Sequence, residues 1–163
     1  MEPVIRPMAE RDVPALVEVS LAADALFADA GVVLPPDDPR PMLAGAERVL
    51  VALDGGVVCG LAATAAVDGR THLEQLAVHP GHGRRGIGSA LLEAVCAQAA
   101  RQGRGRVTLT TFRDLAWNGP WYARRGFAPL AQREWGPELA RLWEAEAPIR
   151  VRPRLAMART VSG

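Results

Sequence analysis

The sequence predicts a single α/β domain of the α+β type, with a mixed, mostly antiparallel twisted sheet of about six to seven strands flanked by helices. Three observations carry that prediction. The chain has 163 residues, which fits one domain over 1–163 and leaves little room for two. Two turn signals, Asp54-Gly55-Gly56 and Asp68-Gly69, join β-like runs into consecutive hairpins. A strand–helix–strand series from His72 to Phe112 then requires one parallel pair.

Each element has a local reason. Pro3 to Met8 reads as a short strand. Arg11 to Ala30 is helical, because Val13, Leu16, Val17, Leu21 and Ala25 recur on one face. Asp12 is placed to cap that helix, Pro14 falls in its first turn and Gly31 stops it. Leu34 to Pro41 holds four prolines and two aspartates and reads as a loop. Val49–Leu53, Val57–Thr64 and His72–Val78 are the three hairpin strands. Ser89 to Gln102 is the clearest helix, with Leu91, Leu92, Val95 and Ala99 on one face and Gly103 at its end. Arg106 to Phe112 is short and β-branched, hence a strand. A short helix over Trp117–Arg125 stops at Gly126, and Phe127 opens another strand. Pro137 to Ala147 is amphipathic, with Leu139, Leu142 and Trp143 on one side. Arg154 to Val161 closes the series as a strand.

Composition excludes several function classes. Nineteen basic and eighteen acidic residues leave a net charge of +1, so bulk charge gives no argument for nucleic acid or a membrane surface. All nineteen basic residues are Arg. The absence of Lys removes Schiff-base chemistry and the P-loop, and with abundant Ala it points to a GC-rich, bacterial genome. Cys59 and Cys96 cannot make a disulfide framework or a four-ligand zinc site alone, and both sit in apolar segments as buried small hydrophobes. His79 and His82 flank a turn with no third ligand at metal spacing, so no metal is expected. No apolar run approaches the length of a membrane span, and the default expectation is a cytoplasmic protein.

The informative segment is His79-Pro80-Gly81-His82-Gly83-Arg84-Arg85-Gly86-Ile87-Gly88-Ser89, which leads from a strand into a helix. The first N–H groups of a helix lack partners and carry partial positive charge, so a phosphate or pyrophosphate is a natural guest. Arg84 and Arg85 add charge. A tight strand-to-helix turn with solvated arginines would look the same. A dinucleotide fold is disfavoured: position 91 is Leu where its third glycine would stand, and the preceding hairpins oppose an all-parallel sheet.

The stretch Leu73-Glu74-Gln75-Leu76-Ala77-Val78-His79-Pro80, followed by Arg84-Arg85-Gly86-Ile87-Gly88-Ser89-Ala90-Leu91-Leu92, resembles the acetyl-CoA motif of the GNAT (GCN5-related) N-acetyltransferases. Arg84 to Gly88 supply the consecutive core of the signature Arg/Gln-x-x-Gly-x-Gly/Ala, and Gly83 stands where Arg or Gln is often found. Trp117-Asn118-Gly119-Pro120-Trp121-Tyr122-Ala123-Arg124-Arg125-Gly126-Phe127 is similar to that family's later block, in which a Tyr precedes a Gly-Phe pair. The two blocks stand in the right order and cover residues 72–127.

The resemblance implies a GNAT-like domain that uses acetyl-CoA as co-substrate and no metal. It implies that Leu76, Ala77 and Val78 bind the pantetheine through their backbone, and that a bulge turns a backbone N–H near Leu76 toward the thioester carbonyl. It assigns the pyrophosphate to Gly83, Arg84, Arg85, Gly86, Ile87, Gly88 and Ser89, with Asn118 as a further cofactor contact. Alternation along the strand puts residues 72, 74 and 76 on one face. His72 and Glu74 are therefore both candidate bases, and Glu74 acting through water is preferred, because a partly buried carboxylate has a raised pKa. A hydrogen-bonded structural carboxylate and a strand-start surface histidine are the corresponding bland readings.

Tyr122 is the candidate acid for the departing sulfur, or else an aromatic packed beside the pantetheine. The acceptor side is assigned to the first helix and the loop after it, with Asp24, Phe27, Asp37 and Asp38, and the helix at 137–147 is placed to cover the site. The implied activity is direct transfer of an acetyl group from CoA to a primary amine, taken to be that of a small molecule. The alternatives are an acyl-CoA-binding regulatory module or acetylation of a protein or peptide amine. No nucleic acid or membrane partner is expected, and a homodimer is compatible with such a fold.

Overall fold

The structure is a computed structural model and describes residues 2–162. Its centre is a seven-stranded sheet ordered β1-β2-β3-β4-β5-β7-β6. The strands are β1 (Val4–Pro7), β2 (Arg48–Asp54), β3 (Val57–Val67), β4 (Arg70–Val78), β5 (Arg106–Phe112), β6 (Ala128–Pro129) and β7 (Arg154–Thr160). The helices are α1 (Val13–Asp29), α2 (Arg40–Gly45), α3 (Ile87–Arg101), α4 (Gly119–Ala123) and α5 (Pro137–Ala145).

The first four strands are antiparallel neighbours. Both hairpins turn on two residues with positive φ, Gly55 and Gly56 in one and Asp68 and Gly69 in the other. That is the backbone twist that matches paired strands. The α3 crossover makes β4 and β5 the one parallel pair.

Two apolar layers fix the sheet. Leu91, Leu92 and Val95 of α3 pack with Leu50, Ala62, Leu73 and Leu109 on one face. Leu16 and Val19 of α1 pack with Val49, Val51, Leu61 and Ala77 on the other. Leu139 and Leu142 of α5 meet Val67 and Ala156. Since Val107, Leu109 and Met157 belong to the α3 layer, the alternate residues of β5 and β7 face the α1 and α5 side.

Three local expectations change. The segment predicted as a loop over Leu34–Pro41 gives way at Arg40 to helix α2, which Leu43 anchors in the α1 layer. Asp12 does not cap α1 in the ordinary way. Its carboxylate turns back to accept from the Ala9 N–H at 2.7 Å and forms a two-armed pair with Arg6 at 2.7 and 3.0 Å. The helix predicted over Trp117–Arg125 contracts to α4.

The feature that positions the site is a failure of pairing. β4 and β5 are matched only at Thr71–Val107 and His72–Thr108. Beyond those residues they diverge, so β4 from Leu73 to Val78 has β3 on one edge and no strand on the other. Alternate main-chain N–H and C=O groups of that edge face an open wedge.

Candidate active site

The wedge begins with a bulge. Ala63 pairs with Gln75 and Thr64 with Leu73, so Glu74 is an extra residue opposite the β3 register. An extra residue resets the alternation of side chains. The expectation that residues 72, 74 and 76 share one face is therefore corrected. Leu76 and Val78 join the α3 layer, while Ala77 joins the α1 layer and the Gln75 amide donates to Ser20 Oγ of α1 at 2.8 Å.

Glu74 is open to solvent, yet protein flanks it closely enough that partial burial lifts its carboxyl above the ordinary value. His72 is different from the surface histidine considered for it. It is 2% exposed, and its Nδ1 lies 2.9 Å from Thr108 Oγ1. Burial pushes its pKa down from 6.5 to about 4, so it is a neutral imidazole at physiological pH. Enclosed in the core, His72 is less accessible to an ammonium group than Glu74, which is open to solvent.

Below the wedge the chain turns into α3. Arg84 and Gly86 are left-handed, with φ of +63° and +75°. Such a turn brings successive N–H groups to one concave side. The first α3 bond runs from the Ala90 N–H to the Gly86 carbonyl, which leaves the Ile87, Gly88 and Ser89 N–H groups at the helix start without intrahelical acceptors. A left-handed residue at 86 with nothing within 4 Å of its absent Cβ makes an open concave cradle, and it fits a pyrophosphate.

The side chains of this loop divide. Gly83 is extended and exposed, and Arg84 projects from the surface. Arg85 is held by Asp54 Oδ2 at 2.9 Å, and the same oxygen meets His82 Nδ1 at 2.9 Å. Asp54 thereby tethers the loop to the β2–β3 hairpin. The Ile87 side chain is 2% exposed in the core, so only its N–H can face a ligand.

Ser89 Oγ accepts from Arg125 Nε at 2.8 Å. The Arg125 guanidinium also lies 3.8 Å over the Trp121 ring. The Trp121 ring packs on Gly88, where a Cβ would make ordinary van der Waals contact at 3.4 Å from Trp121 Cζ2. Arg125 thus adds a cation to the α3 N-terminus. It stood inside the quoted block, but its spacing from Ser89, 36 residues apart, gave no signal.

Tyr122 is buried on the same layer, edge-on to Trp121 at 5.0 Å and to Phe127 at 5.6 Å. Burial drives its phenol further up, so it stays protonated. Asn118 takes part through its backbone: its N–H donates to Leu115 and its carbonyl accepts from Tyr122. The cysteines are buried, free and pushed up by burial, hence protonated and enclosed.

The acceptor side is expected at α1 and the loop after it, with the helix at 137–147 as a cover. Phe27, Val32, Phe112 and Leu115 form a small apolar cluster at the end of α1. Asp24 and Asp37 lie near enough that Asp37 helps burial raise the Asp24 carboxyl. Asp38 instead turns to Arg40. Across the wedge, Thr110 donates to both oxygens of Glu146 at 2.8 and 2.9 Å. A separate hollow of about 260 Å³, lined by Arg70, Arg106, Thr108 and Trp135, sits at the paired end of β4 and β5, away from the wedge.

An unpaired strand edge leading to an anion cradle at a helix start, with a carboxylate on the bulge beside it, is the arrangement that the sequence resemblance implies for a CoA-dependent acyltransferase. The sequence model of the acetyltransferase (GNAT) family matches residues 20–127, and the chain belongs to that family. It is an N-acetyltransferase whose acyl donor is acetyl-CoA.

Solved structures share the fold. A GNAT acetyltransferase from Staphylococcus aureus Mu50 superposes with TM-score 0.77 at 15% identity, over 99% of this chain and 100% of that one. The PaiA N-acetyltransferase of Thermoplasma acidophilum, in complex with coenzyme A, gives 0.73 at 15%, over 98% and 99%. The Escherichia coli ribosomal-protein-S18-alanine N-acetyltransferase gives 0.72 at 21%, over 99% and 96%. N-acetylglutamate synthase from Neisseria gonorrhoeae gives 0.76 at 18%, and there this chain spans 36% of the other. Among the described residues no group of His, Cys, Asp or Glu could hold a metal ion, and no helix is long and apolar enough to cross a membrane.

Proposed function

We propose that this protein transfers the acetyl group directly from CoA to the primary amine of a small molecule, with both substrates bound at once. The observation that carries this reading is the bulge at Glu74, which sets a carboxylate of raised pKa at the mouth of the β4–β5 wedge. In this reading Glu74 takes a proton, through water, from the acceptor's ammonium group. The freed nitrogen bonds to the acetyl carbon, the carbon–sulfur bond breaks, the thiolate leaves with the electron pair, and the nitrogen gives its second proton to water as the amide forms. A backbone N–H at the bulge polarises the thioester carbonyl. The N–H groups of Ile87, Gly88 and Ser89, with Arg84 and Arg125, hold the pyrophosphate. The free edge of Leu76–Val78 takes the pantetheine.

Tyr122 serves as a hydrogen-bond donor to the departing sulfur. Its phenol is already raised above its ordinary value of 10.0, whereas a thiol sits near about 8.5. Full proton transfer is therefore uphill, and the thiolate takes its proton from solvent.

Cys59 and Cys96 are protonated and enclosed, which argues against an acetyl-cysteine intermediate. Asp24 and Asp37 favour a cationic amine.

Thiol release tests the proposal, measured with acetyl-CoA against a panel of small primary amines and peptides. Release with small amines and intersecting initial-velocity patterns is expected. Release with peptides alone overturns the small-molecule acceptor. A burst of thiol without any amine overturns direct transfer. Thermal stabilisation by acetyl-CoA with no release from any amine would leave a binding module.

A further inference from the structure

We propose that Arg154 anchors a carboxylate of the acceptor, so that the amine acetylated here belongs to an amino acid-like molecule. The inference rests on the small-molecule reading above and names its substrate class.

Arg154 opens β7 opposite Phe112, the last residue of β5. Its guanidinium lies over the Phe112 ring at 4.6 Å. The side chain is 8% exposed, yet it is poorly satisfied. Nη2 donates to Thr110 Oγ1 at 3.3 Å, and the nearest carboxylate, Glu146, stays at 4.0 Å. Nε is buried with no partner at all.

Three other arginines are paired more closely. Arg6 meets Asp12 at 2.7 and 3.0 Å, Arg104 meets Glu47 at 2.7 Å, and Arg159 meets Glu93 at 2.7 Å. Among the ion pairs of the described residues, the most buried arginine holds the longest contact. Thr110 stands between the two, its hydroxyl 2.8 and 2.9 Å from the Glu146 oxygens while it accepts from Arg154 Nη2. A buried guanidinium with spare in-plane donors is costly unless a planar anion completes it, and a carboxylate matches that fork.

Its position fits the reaction. The β4–β5 pairing ends at His72–Thr108. Two residues further on, Glu74 stands on one wall of the wedge and Thr110 on the other, with Arg154 bonded to Thr110. Phe112 also meets Phe27 of α1 at 5.6 Å between ring centroids, so Arg154 lies one ring from α1, where the acceptor side is expected. A molecule spanning the wedge would present its amine to Glu74 and its carboxylate to Arg154.

The test uses the wild-type protein with saturating acetyl-CoA and three matched acceptors: an amino acid, its carboxamide, and the alkylamine without the carboxylate. The expected kcat/KM for the acid exceeds the other two by about 10- to 100-fold, the range of a charge-assisted contact. In Arg154→Lys the KM for the acid should rise far more than that for the amide. In Glu146→Gln, which removes the competing carboxylate, the KM for the acid should fall. Equal use of all three acceptors by the wild type overturns this inference and leaves the acetyltransferase reading intact. Thiol release with no small amine at all overturns both.

Discussion

His72 gives a sharp thermodynamic test, because its burial converts directly into pH dependence. The folded protein holds its pKa near about 4, against 6.5 for an unperturbed imidazole. Between those values the unfolded chain binds a proton that the native protein refuses. The stabilisation is therefore complete above the unfolded value and is lost as pH falls toward the folded one. The full difference is worth about 3 kcal/mol, and about 2 kcal/mol of it is lost between roughly pH 7 and pH 5. His72→Gln keeps a polar group within reach of Thr108 and removes the titration. The assay is urea unfolding of wild type and variant across that pH range. The difference between the two curves cancels the other titrating groups, among them Glu74, Asp24 and Glu146, whose carboxyls are raised and act in the opposite sense. The variant should lose less stability on acidification by about 2 kcal/mol. Parallel curves for the two proteins would refute the argument that a neutral imidazole is buried here.

Three further outcomes are expected. Glu74→Gln should lower kcat by about 100-fold or more while leaving the KM for acetyl-CoA near its wild-type value; a steady-state comparison with kcat unchanged removes Glu74 as the base. Gly86→Asp should weaken CoA binding measured by calorimetry. A side chain at φ +75° is strained by roughly 1 kcal/mol, and the added carboxylate faces the anion cradle; undiminished affinity would dismiss that cradle as the phosphate site. Tyr122→Phe should reduce kcat by roughly 10-fold with little effect on CoA affinity, since one hydrogen bond to the leaving sulfur is lost; equal losses in both would make Tyr122 a packing residue.

Much of the fold was legible because its causes are local. Two-residue turns at Gly55-Gly56 and Asp68-Gly69 need positive φ, and the residue types there, glycine and Asp-Gly, signal it in the sequence. The apolar face of α3 repeats at helical spacing, and Leu91 and Leu92 are fully buried as that spacing requires. The helix-start glycines and the Tyr–Gly–Phe block likewise lie in short continuous stretches, and the family match over residues 20–127 covers the same ground.

What the sequence could not supply depends on partners far away along the chain. Face sharing along β4 was misread because the bulge at Glu74 is a property of β3 and β4 together. Asp68 caps α5 by accepting from the Glu138 and Leu139 N–H groups across 70 and 71 residues, so the helix expected to cover the site is seated by a hairpin turn. The tether from Asp54 to Arg85 and the stack of Arg125 on Trp121 also arise only after packing. Arg154 is the extreme case. In sequence it is one of nineteen arginines. Its burial over Phe112 with an unpartnered Nε exists only because α5 brings Glu146 to Thr110 and β7 returns beside β5. Local sequence sets dihedral angles and apolar periodicity; the pairing and desolvation of charges are set by which distant segments meet.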